Sequence, residues 1–248
     1  MTPAERASAM AFALCSGRLD GLEASGRIRR VAYDYQLGNL DLEDLWSEAG
    51  LDDDTVGTEA SVQSLADRIL VRTIFLQERG WPMTGDLREL QSIHRCIFHG
   101  IYPHAGLLRT SDTEPRQRGS PQTCFPWQLI ATGAMNISGE LAERQNLGNL
   151  DRSRFIQELT LIYDQLGYLH PFSQGNAITL RIFASRLAHY AGWDLDWGQT
   201  DRRTYQVAQE QAYLGCLEPF GRLFTSIVRP ANPTRIFLIA GWDQGPAH

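Results

Sequence analysis

Two amphipathic helical stripes meet at one sharp break, and that junction constrains the fold more than any other feature of the chain. From Asp151 to Leu169 the apolar residues Phe155, Leu159, Ile162, Leu166 and Leu169 recur every three or four places, the period of a helix with one buried face. Pro171 and Gly175 end it. Asn176 opens a second stripe, with Leu180, Phe183, Leu187 and Tyr190 or Ala191 on its inner side. Other segments repeat the pattern: Glu59 to Glu78 through Val62, Leu65, Ile69, Thr73 and Leu76, and a helix capped by Asp86 that runs to Phe98. Helices are further predicted over Ser138–Gln145 (short), Arg203–Leu214 and Glu218–Val228. Strand character is confined to RIFLIAG at 235–241 and to the edges of the segment between Gly100 and Gln128. That segment carries Pro103, Pro115, Pro121, Pro126 and the polar run TSDTEPRQRGSPQT, the composition of an exposed functional loop or loose two-stranded flap. The expected class is mainly α, with residues 1–58 as a helical extension, 59–230 as one domain and 231–248 as a tail.

Composition narrows the partners. With 29 acids against 23 bases the net charge is -6, so the surface has no overall attraction for nucleic acid or an anionic bilayer. No uncharged run approaches the ~20 residues of a membrane span. The N-terminus, with Glu5 and Arg6 before a short apolar patch, is poor material for a signal peptide. A cytoplasmic protein is expected, although delivery into another cell by a route without such a signal is not addressed by that test. Cys15, Cys96, Cys124 and Cys216 show no metal-knot spacing, and the five-residue spacing of His94, His99 and His104 does not put them on one helix face. Both sets read as bystanders.

Chemistry concentrates in YLHPFSQGNAITLRIF, residues 168–183. The first turn of a helix has free N–H groups and the positive end of the peptide dipoles, an anion site that needs no basic side chain. Gly175 would let a phosphate approach the backbone, and Asn176 can donate an amide N–H to it. Arg181 begins roughly 7.5 Å up the helix, and its fork could reach back to a second phosphate. His170, before the turn, has the imidazole suited to accept a hydroxyl proton. The spacing equally allows His170 to be a cap and Arg181 a solvated surface residue.

HPFSQGNAITLR resembles the active-site motif of the Fic (Fic/Doc, Fido) family, H-P-F-x-(D/E)-G-N-(G/K)-R-x-x-R. LQSIHRCIFHGIYPHAGLLRT at 90–110 is similar to the family's preceding helix and tryptophan-alanine-glycine segment, with His104 in the tryptophan place; Phe125-Pro126 falls where the family's flap returns. The resemblance covers about 60–228. It implies a helical bundle with a small β-hairpin flap and transfer of AMP from ATP, with Mg²⁺, onto a Ser, Thr or Tyr hydroxyl of a protein docked at the 110–124 flap. It assigns His170 as general base, Gly175 and Asn176 as the anion-hole pair, Arg181 as the arginine on the terminal phosphate, and Phe172 as the loop's anchor.

Three positions depart from the pattern. Gln174 stands at the metal-binding acid and is a weaker ligand for Mg²⁺ than a carboxylate; Ile178 stands at the first arginine; Ala177 stands at the glycine or lysine. The expectation is therefore a divergent nucleotide transferase using ATP or another nucleotide donor, with a catalytically inactive binding or regulatory protein as the alternative. Phosphotransfer in the manner of the Doc branch is a further alternative, and Ala177 and Ile178 match neither its lysine nor its arginine. Many family members also carry an inhibitory helix, (S/T)-x-x-x-E-G, whose glutamate pairs with the second arginine. The nearest match sought upstream of the first domain helix, DDDTVGTEAS at 52–61, places Val56 or Glu59 at the glutamate and fits neither way. A regulatory partner would be compatible with that reading.

Overall fold

The computed structural model describes residues 1–51, 62–113 and 125–231. Three expectations fall outside them: the strand at 235–241, the centre of the flap, and the 52–61 segment. Ten helices build the described chain. They are α1 (Pro3–Leu19), α2 (Gly26–Leu37), α3 (Leu42–Glu48), α4 (Val62–Arg79), α5 (Leu87–Phe98), α6 (Ile130–Glu143), α7 (Arg152–Leu169), α8 (Asn176–Tyr190), α9 (Arg202–Tyr213) and α10 (Glu218–Ile227). A small antiparallel sheet joins β1 (Trp193–Leu195) to β2 (Val228–Pro230), with Asp194 opposite Arg229. The described edges of the flap segment, by contrast, form no strand. Among the described residues no helix is long and apolar enough to cross a membrane.

Local chemistry sets the helix starts. The carboxylates of Asp86 and Asp151 accept backbone N–H bonds of the first turns of α5 and α7, as capping requires. Helix α6 begins eight residues earlier than the short helix expected at Ser138. Its buried stripe is Ile130, Ala134, Ile137 and Leu141, and Gly133, which reads as a breaker, is a close-packing position. A Cβ there would lie 2.8 Å from Phe125 and 2.9 Å from Leu169.

Two apolar clusters share a wall. The larger surrounds α7 and α8 and includes Phe155, Ile162, Phe183, Leu187, Trp197 and Phe224. The smaller, with Ile28, Ala32, Tyr35 and Leu45, lies among α1, α2 and α3 and is closed by Leu70, Val71 and Ile74 of α4. Ile69 and Leu76, on the same α4, belong to the larger cluster, so α4 separates and joins the two. Helix α1 does likewise, with Ala13 in one cluster and Leu19 in the other. That placement brings the end of α1 onto α8.

Candidate active site

The turn between α7 and α8 is held from both sides. His170 caps α7 in a left-handed conformation (φ 42°, ψ 61°), and its N–H donates to the Leu166 carbonyl at 3.3 Å. Asn176 folds its amide back onto the turn: Nδ2 donates to the Phe172 carbonyl at 2.6 Å and Oδ1 accepts the Phe172 N–H at 3.0 Å. A primary amide has two N–H donors, so one is left for a ligand. Gly175 is required here by φ of 74° and by the Phe98 ring, which a Cβ would meet at 2.3 Å. Its small size serves the packing of α5 on the turn. No side chain caps the first turn of α8.

His94, weighed in the sequence only as a bystander, is the turn's third tie. It is buried, stacks on Phe172 with centroids 3.9 Å apart, and meets the Gln174 carbonyl through Nε2 at 2.9 Å. Its Nδ1 accepts the Gly106 N–H at 2.8 Å, which fixes the neutral tautomer with the proton on Nε2. Burial, opposed by the bond to Gln174, pulls its pKa down to about 4. Phe172, the residue expected to anchor the loop, is itself 1% exposed.

His170 and Asn176 line one cleft together with Phe172, Ala177, Gln209 and Tyr213. The cavity, about 30 Å³, is the size of a single water's share of liquid and far short of a nucleotide.

Arg181 goes elsewhere. The expected reach back over the turn is corrected by the structure: its side chain is fully buried and crosses to α1. There Nε donates to Ser16 Oγ at 3.0 Å, and Nη2 donates to the Ser16 carbonyl at 2.9 Å and to Asp20 Oδ2 at 2.9 Å. The guanidinium lies 5.1 Å from the Tyr205 ring centroid. The physical reason is that position 181 shares the inner stripe of α8 with Ile178 and Ile182, and this face packs on α1. Burial works against the charge, but Asp20 together with the Tyr205 and Tyr163 hydroxyls outweighs it and raises the guanidinium's pKa further above its usual range. Nη1 is buried without a hydrogen-bond partner among the described residues.

Sequence reasoning missed Asp20, although a signal was present. Ser16-x-x-x-Asp20-Gly21 resembles the pattern (S/T)-x-x-x-E-G with a carboxylate one methylene shorter, Asp20 lying 36 and 39 residues before the two positions, Val56 and Glu59, where a glutamate was sought. Gly21 holds φ of 75°, and a Cβ there would collide with Arg202.

The divergent positions fall in different environments. Gln174 is exposed, Ala177 is half-buried at the cleft, and Ile178 is 2% exposed in the larger core. An arginine at 178 would have to enter that core or reorganise it. Among the described residues no three His, Cys, Asp or Glu side chains are placed to share a metal ion. Mg²⁺ is held by one or two carboxylates plus phosphates, and Gln174 offers only a neutral amide, so the residues present do not fit a family-type Mg²⁺ site. The described base of the flap is moored to α7: the Phe125 N–H donates to the Tyr168 carbonyl at 3.2 Å, and the Trp127 N–H donates to Asp112 Oδ1 at 3.0 Å.

Comparison with known proteins follows the same segment. Residues 84–188 match the model of the Fic/DOC family. A probable protein adenylyltransferase Fic of Escherichia coli is 28% identical over 151 residues, 61% of this chain and 74% of that protein. The protein adenylyltransferase VbhT of Bartonella schoenbuchensis is 33% identical over 131 residues, 52% of this chain but 26% of that protein. Among solved structures, the BepC effector protein of Bartonella tribocorum with bound AMPPNP superposes with a TM-score of 0.62 at 22% identity, covering 68% of this chain and 86% of that one.

Proposed function

Because the chain belongs to the Fic/DOC family through residues 84–188, we propose that it transfers a nucleoside monophosphate, AMP in the first instance, from a nucleoside triphosphate to a Ser, Thr or Tyr hydroxyl of a target protein. The observation that carries this reading is that His170 and the uncapped start of α8 share one cleft. In the reaction the target oxygen attacks the α-phosphorus, a new O–P bond forms, and the bond from that phosphorus to the β-phosphate bridge breaks to release pyrophosphate. The hydroxyl proton passes to the His170 imidazole. The first N–H groups of α8 and the spare Asn176 donor face the developing charge, where a preorganised donor is worth about 3 kcal/mol.

In this reading residues 59–230 are the transferase body and residues 1–58 carry its brake. Asp20 occupies Arg181, the group that the family uses on the terminal phosphate, and the unpartnered Nη1 shows spare donor capacity on that guanidinium. The target docks along 110–124. A second reading, an inactive family member that only binds partners, is favoured by Gln174 and by the burial of Ile178.

One experiment separates the two. Wild type, Asp20→Ala and Asp20→Ala/His170→Ala are incubated with each labelled nucleoside triphosphate and a cell lysate, with and without Mg²⁺ or Mn²⁺. Label should enter protein with Asp20→Ala, less with wild type, and not with the double variant. A folded Asp20→Ala protein that transfers nothing from any donor establishes the inactive reading.

A further inference from the structure

We propose that Arg109 is a positioning residue that sets the orientation of His170 and ties it to the base of the flap; the inference rests on His170 being the base of the reaction above. Arg109 is 3% exposed, and its guanidinium serves main-chain carbonyls from three places. Nε donates to the His170 carbonyl at 2.7 Å. Nη2 reaches the Leu169 carbonyl at 3.4 Å and also donates to the Phe125 carbonyl. Nη1 donates to the Ser111 carbonyl at 3.0 Å and lies 3.6 Å from the exposed Asp112 carboxylate. The Arg109 backbone N–H donates to the Pro171 carbonyl at 3.0 Å. One residue thus takes the carbonyls of three successive residues, 169 to 171, across the turn that carries the base.

That arrangement answers a specific need. A non-glycine residue at φ 42° occupies a sparsely populated, strained backbone well, so His170 keeps its conformation only if its surroundings dictate it. Fixing the plane of its carbonyl fixes ψ, and with it the orientation of the residue that lines the cleft. The carbonyls at the end of α7 are also the negative end of the helix, where a cation is favoured. A planar fork with five N–H donors can serve several carbonyls at once, which a lysine ammonium cannot. Ser111 stands at the start of the proposed docking stretch and Phe125 directly follows it, so base and docking stretch hang on the same guanidinium.

The test compares wild type with Arg109→Lys, which keeps the charge and loses the fork, and with Arg109→Gln should the first not fold. The ¹H–¹³C signal of the His170 ring, assigned through His170→Gln, should shift and broaden in the variant, while ATP affinity by calorimetry stays within about twofold. In an Asp20→Ala background kcat should fall by about 10²-fold, the loss expected for a reacting group displaced by an ångström, with KM for ATP nearly unchanged. A His170 signal identical to wild type, or a kcat loss matched by an equal rise in KM, overturns the positioning role. The ring signal decides this even if Asp20→Ala transfers nothing, a result that would count against the transferase reading instead.

Discussion

Helix α8 is fastened at two levels by opposite means. At its N-terminal turn, His94, Asn176 and Phe172 hold the backbone with uncharged hydrogen bonds and ring stacking, all within elements adjacent in the larger core. One and a half turns further on, Arg181 is fastened by a charge from α1. The first kind of tie fixes geometry and cannot be exchanged cheaply, since both ends of each bond belong to the turn or to the residues packed on it. In the proposed function the second is exchanged, a nucleotide phosphate offering the guanidinium the oxygens that Asp20 supplies. A transferase needs both: a turn that never moves and an arginine that can be released.

Cutting the charged tie should have the largest effect. Asp20→Ala leaves a buried guanidinium without its carboxylate, and breaking a buried pair from one side costs about 3–5 kcal/mol; because Asp20 is a quarter exposed on its side chain, the lower end is expected. Urea unfolding should show the loss, Asp20→Ala/Arg181→Met should recover part of it, and added ATP should stabilise the single variant more than wild type. Equal stabilisation of both by ATP would show that Asp20 and nucleotide do not compete for Arg181.

The uncharged tie should respond to pH. In the fold His94 stays neutral down to about pH 4, whereas an unperturbed imidazole takes its proton near 6.5. Between those values the unfolded chain binds more protons, so this group's contribution is complete above pH 6.5 and is lost as pH falls toward 4, by up to about 3 kcal/mol. A proton on Nδ1 would face the Gly106 N–H directly. Asp164 works in the opposite sense: burial pushes its carboxyl up to about 6 from 3.8, so acid favours the fold there. The measurement is therefore the difference in pH slope between wild type and His94→Gln, which should be more positive for wild type across that window.

Smaller still is the effect expected for Asn176→Ala, which strips the Phe172 N–H and carbonyl of their partners. About 2 kcal/mol should be lost, with the His170 ring signal altered. At the bottom of the series, Glu218→Ala removes an exposed i,i+4 pair with Arg222 on α10 and should change stability by about 0.3 kcal/mol and leave the cleft untouched. A value above about 1 kcal/mol would mean that α10 is more tightly coupled to the body than its surface contacts imply.

What could be read from sequence follows from the range of the interactions. Asp86, Asp151 and Gly175 punctuate α5, α7 and α8 locally, and those helices begin and end within a residue or so of the positions their patterns predict. The start of α6 was hidden because Gly133 earns its place through Phe125 and Leu169, contacts that no local pattern reveals. The membership of His170, Phe172 and Asn176 in one turn was legible because seven consecutive positions build it. Arg181 was not, since its partner lies 161 residues away and carries aspartate where the pattern names glutamate. Arg109 escaped for a similar reason: its partners are main-chain carbonyls 60 and 61 residues on, and carbonyls leave no trace in a sequence.

The Asp20–Arg181 clasp also has a direction in time. A ribosome adds roughly 5–20 residues per second, so Asp20 is made about 10–30 s before Arg181. Helix α1 and its carboxylate are waiting when α8 emerges, and the arginine meets its restraint as soon as the helix that bears it can pack. Had the same pair been built from a segment following α8, every nascent chain would pass through an interval with the turn complete and the guanidinium unclaimed. In the proposed reading, placing the restraint ahead of α8 removes that interval, so that a newly made copy would never have a site that precedes its own lock.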